Sequence, residues 1–146
     1  MQSRQGGFLI SKVHQLTGRI FAKKLKKYNI HDINPAQGRI MFVLWQKDNI
    51  PIQELAIKTA LGKSTLTRML DKLEETGFIS RLSPIHDRRQ MLIQLTEENK
   101  KMKKTYEQAS QEMNNIYYEG FKAHEIDEFE GYLERLFNNL KKHEMD

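Results

Sequence analysis

The chain has 146 residues, no cysteine and a formal net charge of +5. Its length suits one domain or two small lobes with a real core, and the lack of cysteine excludes disulfides, thiolate metal sites and thiol redox sensing. No apolar run approaches the ~20 residues that a membrane helix needs and no targeting segment is found, so a soluble, cytoplasmic protein without membrane contact is expected.

The positive charge is uneven along the chain. Residues 1–29 hold seven Lys or Arg and no acid, whereas residues 93–146 hold eight basic and twelve acidic groups. A basic balance favours a polyanion as partner, but charge alone does not separate DNA from RNA or anionic lipid.

Helical spacing dominates the first part of the chain. Apolar residues three and four apart predict an amphipathic helix over residues 8–28. A second helix is expected to begin at Asn34-Pro35, because asparagine is a good N-cap and proline suits the first helical position, and to fade at Lys47. Pro51 then allows a short edge strand at most, since proline cannot donate to a sheet ladder.

The middle of the chain has the element order of a winged helix-turn-helix. QELAIKTA predicts a short helix and KSTLTRMLDKLEET the next one, which Gly77 ends. Residues 78–83 and 91–95 are predicted to form two strands. The loop between them, residues 84–90, is longer than a tight turn and carries HDRR at its tip.

The remainder of the chain is predicted to be helical. Thr96 is a candidate N-cap for one long polar helix over residues 97–121, and a last helix with a single apolar stripe follows His124. We therefore expect a mainly α fold with a small β wing (α+β). Its predicted parts are an N-terminal helical segment (1–32), a winged helix-turn-helix lobe (33–96) and C-terminal helices (97–146).

The helix over residues 63–76 has an apolar side and a polar side that is divided by charge. At roughly 100° per residue, the side chains that face the core are Leu66, Met69, Leu70 and Leu73. The N-terminal half of the exposed side carries Lys63, Ser64, Thr65, Thr67 and Arg68. The C-terminal half carries Asp71, Glu74 and Glu75. Because carboxylates repel phosphates, such a helix would enter DNA by its N-terminal end; the plain alternative is a solvated surface helix.

The loop between the two strands places an aspartate beside two arginines. Arg88 and Arg89 at the tip of a wing suit a contact in the minor groove of DNA, where arginine is favoured if the groove is narrow. A bare carboxylate near phosphate is unfavourable. We therefore expect Asp87 to pair with Arg81 or Arg89 and to hold the shape of the loop.

The run STLTRMLDKLEETGFISRLSPIHDRRQMLIQLTEE resembles the MarR family of bacterial regulators, and NPAQGRIMFVL and QELAIKTALG precede it at the expected distances. The resemblance covers essentially the whole chain. It implies a homodimeric DNA-binding transcriptional regulator, a repressor, that reads a pseudo-palindromic operator in double-stranded DNA. The segments 1–32 and 97–146 would then be dimerisation helices that interlock between two chains.

The resemblance also implies roles for individual residues. The groove-facing helix positions of the family are matched by Lys63, Ser64, Thr65, Thr67 and Arg68. Arg89 matches the minor-groove arginine of the wing motif, Asp87 matches its structural acid, and Arg88 occupies a variable position. Family members often bind a small phenolic or anionic effector that releases DNA, and the candidate lining residues here are His14, Phe21, Met41 and Trp45. A lone tryptophan on a helix stripe is, however, more often plain core.

Other chemistries find little support in the sequence. No two histidines stand three or four residues apart, so neither a metal nor a cofactor is expected. No phosphate loop or nucleophile motif is present, so no enzyme is expected. The basic run RIFAKKLKK fits DNA phosphates or an anionic membrane, but its apolar stripe favours a solvated helix face. The alternative function is a winged-helix nucleic-acid or protein-interaction module without effector response.

Overall fold

The computed structural model describes residues 3–31, 33–83 and 90–144. The elements within these ranges, in chain order, are α1 (Gly6–Lys27), α2 (Pro35–Gln46), β1 (Ile50–Pro51), α3 (Ile52–Thr59), α4 (Lys63–Glu75), β2 (Ile79–Leu82), β3 (Leu92–Leu95), α5 (Glu97–Lys100), α6 (Lys103–Tyr117) and α7 (Ala123–Glu144). This order confirms the predicted mainly α fold with a small antiparallel sheet.

A capping box begins α2 at the predicted position. The Asn34 side chain accepts a hydrogen bond from the Gln37 backbone N–H at 2.8 Å, and the Gln37 side chain accepts one from the Asn34 N–H at 2.9 Å. Each bond satisfies a backbone donor that a helix N-terminus leaves unpaired. The Asn34 amide also lies 3.3 Å from the sulfur of Met69, so the start of α2 is joined to α4.

One hydrophobic core joins α2, α3, α4 and the sheet. Its fully buried side chains include Ile40, Met41, Leu44, Ile50, Leu55, Leu70, Leu73, Ile79 and Ile93. Helix α1 joins this core through Leu25, and the first half of α6 joins it through Tyr106. The Tyr106 hydroxyl donates to the Gly38 carbonyl at 3.1 Å, and burial raises the pKa of Tyr106 to about 12.

The three strands form one small sheet in the order β1-β3-β2. Strands β2 and β3 are antiparallel, with Ile79 opposite Leu95 and Leu82 opposite Leu92. The short strand β1 lies at the edge, with Ile50 opposite Ile93, which confirms the prediction made from Pro51. The loop predicted between β2 and β3 falls largely on residues 84–89, which lie outside the described residues.

Gly77 ends α4, as predicted. Its φ is +81°, in the left-handed region that favours glycine. The Gly77 N–H donates to the Glu74 carbonyl at 3.1 Å, and the Phe78 N–H donates to the Leu73 carbonyl at 2.8 Å. This pair of bonds is a Schellman motif, which turns the chain directly from α4 into β2.

The prediction of one long helix over residues 97–121 is wrong. Helix α5 ends at Lys100 and α6 begins only at Lys103. The buried Asn99 donates from its side chain to the Phe78 carbonyl at 3.3 Å, and its own carbonyl accepts from the Met102 N–H at 3.1 Å in a tightened turn. This tertiary hydrogen bond holds α5 to the start of β2, and helical periodicity does not reveal it.

By internal contacts the chain divides into two compact units, which meet at Ser110 and Gln111. The first unit contains the hydrophobic core. The second contains the end of α6 and α7, where Tyr118, Phe121 and Phe129 form an aromatic cluster. None of the residues of α7 is buried. The proposed dimerisation role of the end segments, and the domain limits based on it, stay a prediction.

Neither a metal cluster nor a membrane-type helix is found in the part of the chain that the structure describes. Nowhere in residues 3–31, 33–83 and 90–144 do three His, Asp or Glu side chains come together as they would around a metal ion. None of the helices α1 to α7 combines the length and the apolar character that crossing a membrane requires.

Asp48, two residues after α2, is hydrogen-bonded to the last residue of β3. Its Oδ1 accepts hydrogen bonds from the backbone N–H groups of Leu95 and Asn49, each at 2.8 Å. Its Oδ2 lies 3.8 Å from the Lys100 ammonium. Because Leu95 is a buried residue of β3, Asp48 supplies an acceptor to a donor that water reaches poorly.

We expect Asp48→Ala to lower the free energy of unfolding by about 1–3 kcal/mol, because the Leu95 N–H loses its acceptor. Urea unfolding followed by circular dichroism measures this change. Asp48→Asn is the control, since it keeps an oxygen that can accept the bond and should retain most of the stability. An equal loss in both variants would mean that the charge of Asp48, and not the hydrogen bond, stabilises the fold.

Candidate nucleic-acid interface

The exposed side of α4 brings the predicted contact residues together on one surface. Lys63, Ser64, Thr67 and Arg68 are exposed and Thr65 is half-buried. On the opposite side, the buried residues are Leu66, Met69, Leu70 and Leu73, which confirms the predicted core face. The contact roles of the five exposed or half-buried residues stay a prediction.

The N-terminus of α4 is clear of negative charge. Gly62 is the N-cap, no side chain caps the first turn, and that turn contains no acidic residue. A Cβ added at Gly62 would meet no atom of the described residues within 4 Å. Free backbone N–H groups at a helix N-terminus attract phosphate, and the neighbouring Lys63 adds a positive charge.

Thr67 has a defined hydrogen-bonding state. Its hydroxyl donates to the Lys63 carbonyl at 2.9 Å, one turn back along α4. The proton of the hydroxyl is therefore used within the helix. What Thr67 presents outward is its methyl group and an oxygen that can accept a hydrogen bond, so this position suits a donor or an apolar group on its partner.

An arginine from β2 matches the carboxylates in the second half of α4. The Arg81 guanidinium makes a short ion pair with Asp71, and its Nε lies 3.8 Å from a Glu74 oxygen. We call this group of three residues the Arg81 clamp. The Arg81 side chain is only 20% exposed, against 63% for Asp71 and 47% for Glu74, so the arginine lies beneath the two carboxylates.

The Arg81 clamp was not predicted from the sequence, which offered Asp87 as a partner for Arg81. Asp87 lies outside the described residues, as do Arg88 and Arg89, so their predicted roles stay predictions. A signal for the clamp does exist in the strand pattern. Alternate residues of a strand share one face, and Arg81 therefore lies on the same side of β2 as Ile79, which is buried.

The four residues predicted to line an effector pocket lie in different surroundings. Met41 and Trp45 are buried in the core, Phe21 is half-buried, and His14 is exposed on α1. Phe21 and Trp45 both pack on the Tyr106 ring, with centroid distances of 5.5 and 4.2 Å. Sequence reasoning missed Tyr106, the residue that joins them, and a pocket role for the four stays a prediction.

Trp45 carries a buried polar group that the core leaves unsatisfied. Its indole N–H has no hydrogen-bond partner among the described residues. Such a donor is unusual in a folded core and favours a polar acceptor beyond those that residues 3–31, 33–83 and 90–144 supply.

Both end helices expose apolar faces. The exposed apolar residues of α1 are Phe8, Leu9, Ile10, Val13 and Leu16. Those of α7 are Phe129, Tyr132, Leu133, Leu136, Phe137 and Leu140. The set on α7 recurs at helical spacing, so it forms one stripe along the helix. Large exposed apolar faces of this kind mark surfaces that another molecule covers.

A family model matches the lobe that contains α4, and curated relatives match more than half of the chain. Residues 33–91 match the model of the MarR family. The chain is 32% identical over 89 residues to the HTH-type transcriptional regulator FarR of Neisseria gonorrhoeae, which covers 61% of this chain and 59% of that protein. It is 29% identical over 87 residues to the homoprotocatechuate degradative operon repressor of Escherichia coli, which covers 60% and 57%. The matched region is thus under two thirds of each relative.

A solved structure matches nearly the whole chain. A mutant of MarR from E. coli, crystallised in complex with operator DNA, superposes with a TM-score of 0.77 at 27% sequence identity. The superposition covers 89% of this chain and 91% of that one. The similarity therefore extends beyond the winged helix-turn-helix lobe to the end helices.

Proposed function

We propose that the chain is a homodimeric repressor of the MarR family, whose model matches residues 33–91, and that it binds a pseudo-palindromic operator. The observation that carries this proposal is the exposed N-terminal half of α4, which is basic, hydroxyl-rich and free of carboxylates. The relatives support it, since one is named an operon repressor and another was solved with operator DNA.

In this proposal α4 enters the major groove by its N-terminal end. Arg68 suits a bidentate contact with the O6 and N7 atoms of guanine, the commonest specific contact made by arginine. Thr67 offers a methyl group for thymine or an acceptor for a base amino group, because its own proton is used in the helix. Lys63 and the uncapped first turn suit phosphate, which positions the helix without reading sequence.

The wing supplies the second contact of the proposal. Arg88 and Arg89 belong to the segment that joins β2 to β3, and in the adjacent minor groove they would meet strongly negative potential. The net positive charge of the chain adds sequence-independent affinity for DNA.

The exposed apolar stripes of α1 and α7 support the homodimer. An amphipathic helix normally buries its stripe, and α7 buries none of its residues in the single chain. A second copy brings the same stripes and so offers a self-complementary surface. Two copies of α4 about 34 Å apart would then read half-sites one duplex turn apart.

Release of DNA by a small phenolic or anionic effector completes the proposal. An effector that binds the form unable to hold DNA shifts the population towards that form. The candidate contacts remain His14, Phe21, Met41 and Trp45. The unpaired indole N–H of Trp45 supports a ligand with a hydrogen-bond acceptor, such as a carboxylate or a phenolic oxygen.

Selection of duplexes from a random pool by the purified protein should recover a pseudo-palindromic site. At about 150 mM salt, the affinity for that site should exceed the affinity for random duplex by at least ~10³-fold. Gel shifts with the selected and scrambled duplexes measure this ratio. Binding that does not discriminate between duplexes would instead identify a non-specific nucleic-acid module.

Arg68→Ala should weaken binding to the selected site about 5- to 150-fold and relax the base preference at one position of each half-site. Lys63→Ala should weaken binding to all duplexes alike and lower the slope of log affinity against log salt by about one. Titrations at several salt concentrations separate the two effects.

Lys103→Ala is the matched control for these variants, since it removes a positive charge from α6. It should leave the base preference and the salt slope unchanged. A uniform loss of affinity for Arg68→Ala, without a change in base preference, would show that Arg68 contacts phosphate only.

Leu136→Glu should convert the dimer to monomer, because it places a carboxylate in the middle of the apolar stripe of α7. Sedimentation equilibrium measures the mass, and circular dichroism checks that the helices persist. Asn138→Glu adds the same charge two residues further on, on the opposite side of α7, and should leave the dimer intact. A Leu136→Glu protein that stays dimeric would place the dimer interface elsewhere.

A further inference from the structure

Arg81 lies in β2 at the edge of the hydrophobic core, two residues after the buried Ile79. On one face of β2, Ile79 is buried and Arg81 is mostly buried. Leu82, the last residue of the strand, lies on the other face and is exposed. The contact between β2 and α4 thus changes from apolar packing at Ile79 to an ion pair at Arg81. Within the described part of β2, the Arg81 clamp is the outermost link to α4.

We propose that Arg81 is a positioning residue, which sets the angle of the wing relative to α4 through Asp71 and Glu74. This inference rests on the proposed function, since it concerns how the two DNA-contacting elements are held together. Arg81 acts through the two carboxylates and does not itself read DNA. The clamp therefore decides whether α4 and the wing reach the major and minor grooves at the same time.

The strands alone leave this angle weakly determined. The ladder between β2 and β3 spans four residue pairs, from Ile79 opposite Leu95 to Leu82 opposite Leu92. Strand β1 adds only two further pairs, Ile50 with Ile93 and Pro51 with Leu92, so this small sheet takes its direction largely from what it packs against. Asp71 and Glu74 are three residues apart on α4, so both project towards β2 from neighbouring turns.

Arginine is suited to this link because its planar guanidinium holds several donors in a fixed fork. One nitrogen is paired with Asp71, while the buried Nε–H has no hydrogen-bond partner and faces Glu74 at 3.8 Å. A small movement of the Glu74 side chain closes this second bond.

The clamp reverses the expected effect of removing a carboxylate from α4. A free carboxylate near DNA repels phosphate, so its removal should strengthen binding. A carboxylate that holds Arg81 also positions the wing, so its removal should weaken binding. Asp71 and Glu75 separate the two cases, since both are exposed on α4 and, of these two, only Asp71 is paired with Arg81.

Asp71→Asn should weaken binding to the selected operator about five- to fiftyfold, as expected when a positioned interface contact is lost. Glu75→Gln removes the same charge from the same helix and should bind as tightly as the unaltered chain, or more tightly. Fluorescence anisotropy at fixed salt measures both. Equal or tighter binding by Asp71→Asn would overturn the proposal.

A double-mutant cycle tests whether Arg81 and Asp71 act as one unit. Arg81→Gln should weaken operator binding as Asp71→Asn does. The double variant should bind about as tightly as the weaker-binding single variant, because both substitutions remove the same interaction. Additive losses would overturn the proposal, since Arg81 would then contact DNA independently. Arg81→Lys keeps the charge but not the fork, so intermediate binding is expected.

A footprint separates positioning from general stability. Hydroxyl-radical cleavage of the operator should show lost protection at the outer, wing-contacted positions in Asp71→Asn, with central protection by α4 retained. Thermal unfolding should change little in Asp71→Asn, because Asp71 itself is 63% exposed and Glu74 stays beside Arg81. Uniform loss of protection would overturn the proposal. If the unaltered chain binds no specific site, the proposed function is wrong. If the unaltered chain binds specifically and the Asp71→Asn results are contrary, only the inference about Arg81 is wrong.

Discussion

The packing of Leu66, Leu70 and Leu73 into the core determines the direction of every polar group on α4. These three side chains are almost completely buried, and a helix turns by about 100° per residue. With one side held in the core, Ser64 and Arg68 must face outward. The same core holds the sheet through Ile79 and Ile93, so the helix and the base of the wing share one rigid support.

Most of the fold could be predicted because its signals are local. The Asn34 cap, the Gly77 stop and the Pro51 edge strand each depend on the backbone chemistry of one or two residues, and the structure places all three as expected. The prediction of one helix over residues 97–121 was wrong because the interruption depends on Asn99, which donates a hydrogen bond to a carbonyl 21 residues earlier. Periodicity within a segment carries no information about such a bond.

In the candidate site, too, the features set by local sequence could be predicted and those set by tertiary contacts could not. The exposed residues of α4 follow from helical geometry alone, and the structure brings them together. The partners of Arg81 depend on how β2 lies across α4, which the sequence shows only through the alternation of the strand. Tyr106 was missed because it comes from α6, more than 60 residues after the segment whose Gly38 carbonyl it contacts.

If α4 binds DNA as proposed, its uncapped first turn links the stability of the lobe to DNA binding. A serine, threonine or aspartate at the position of Gly62 would satisfy a backbone donor and, compared with glycine, stabilise the helix by roughly a few tenths of a kcal/mol. Glycine leaves that bond unmade. In the proposed complex, a phosphate oxygen at the same place would accept hydrogen bonds from the free N–H groups, so the nucleic acid itself would act as the missing cap. The first turn of α4 would then be most rigid with the operator bound, and its backbone amides would exchange fastest with solvent in the free protein.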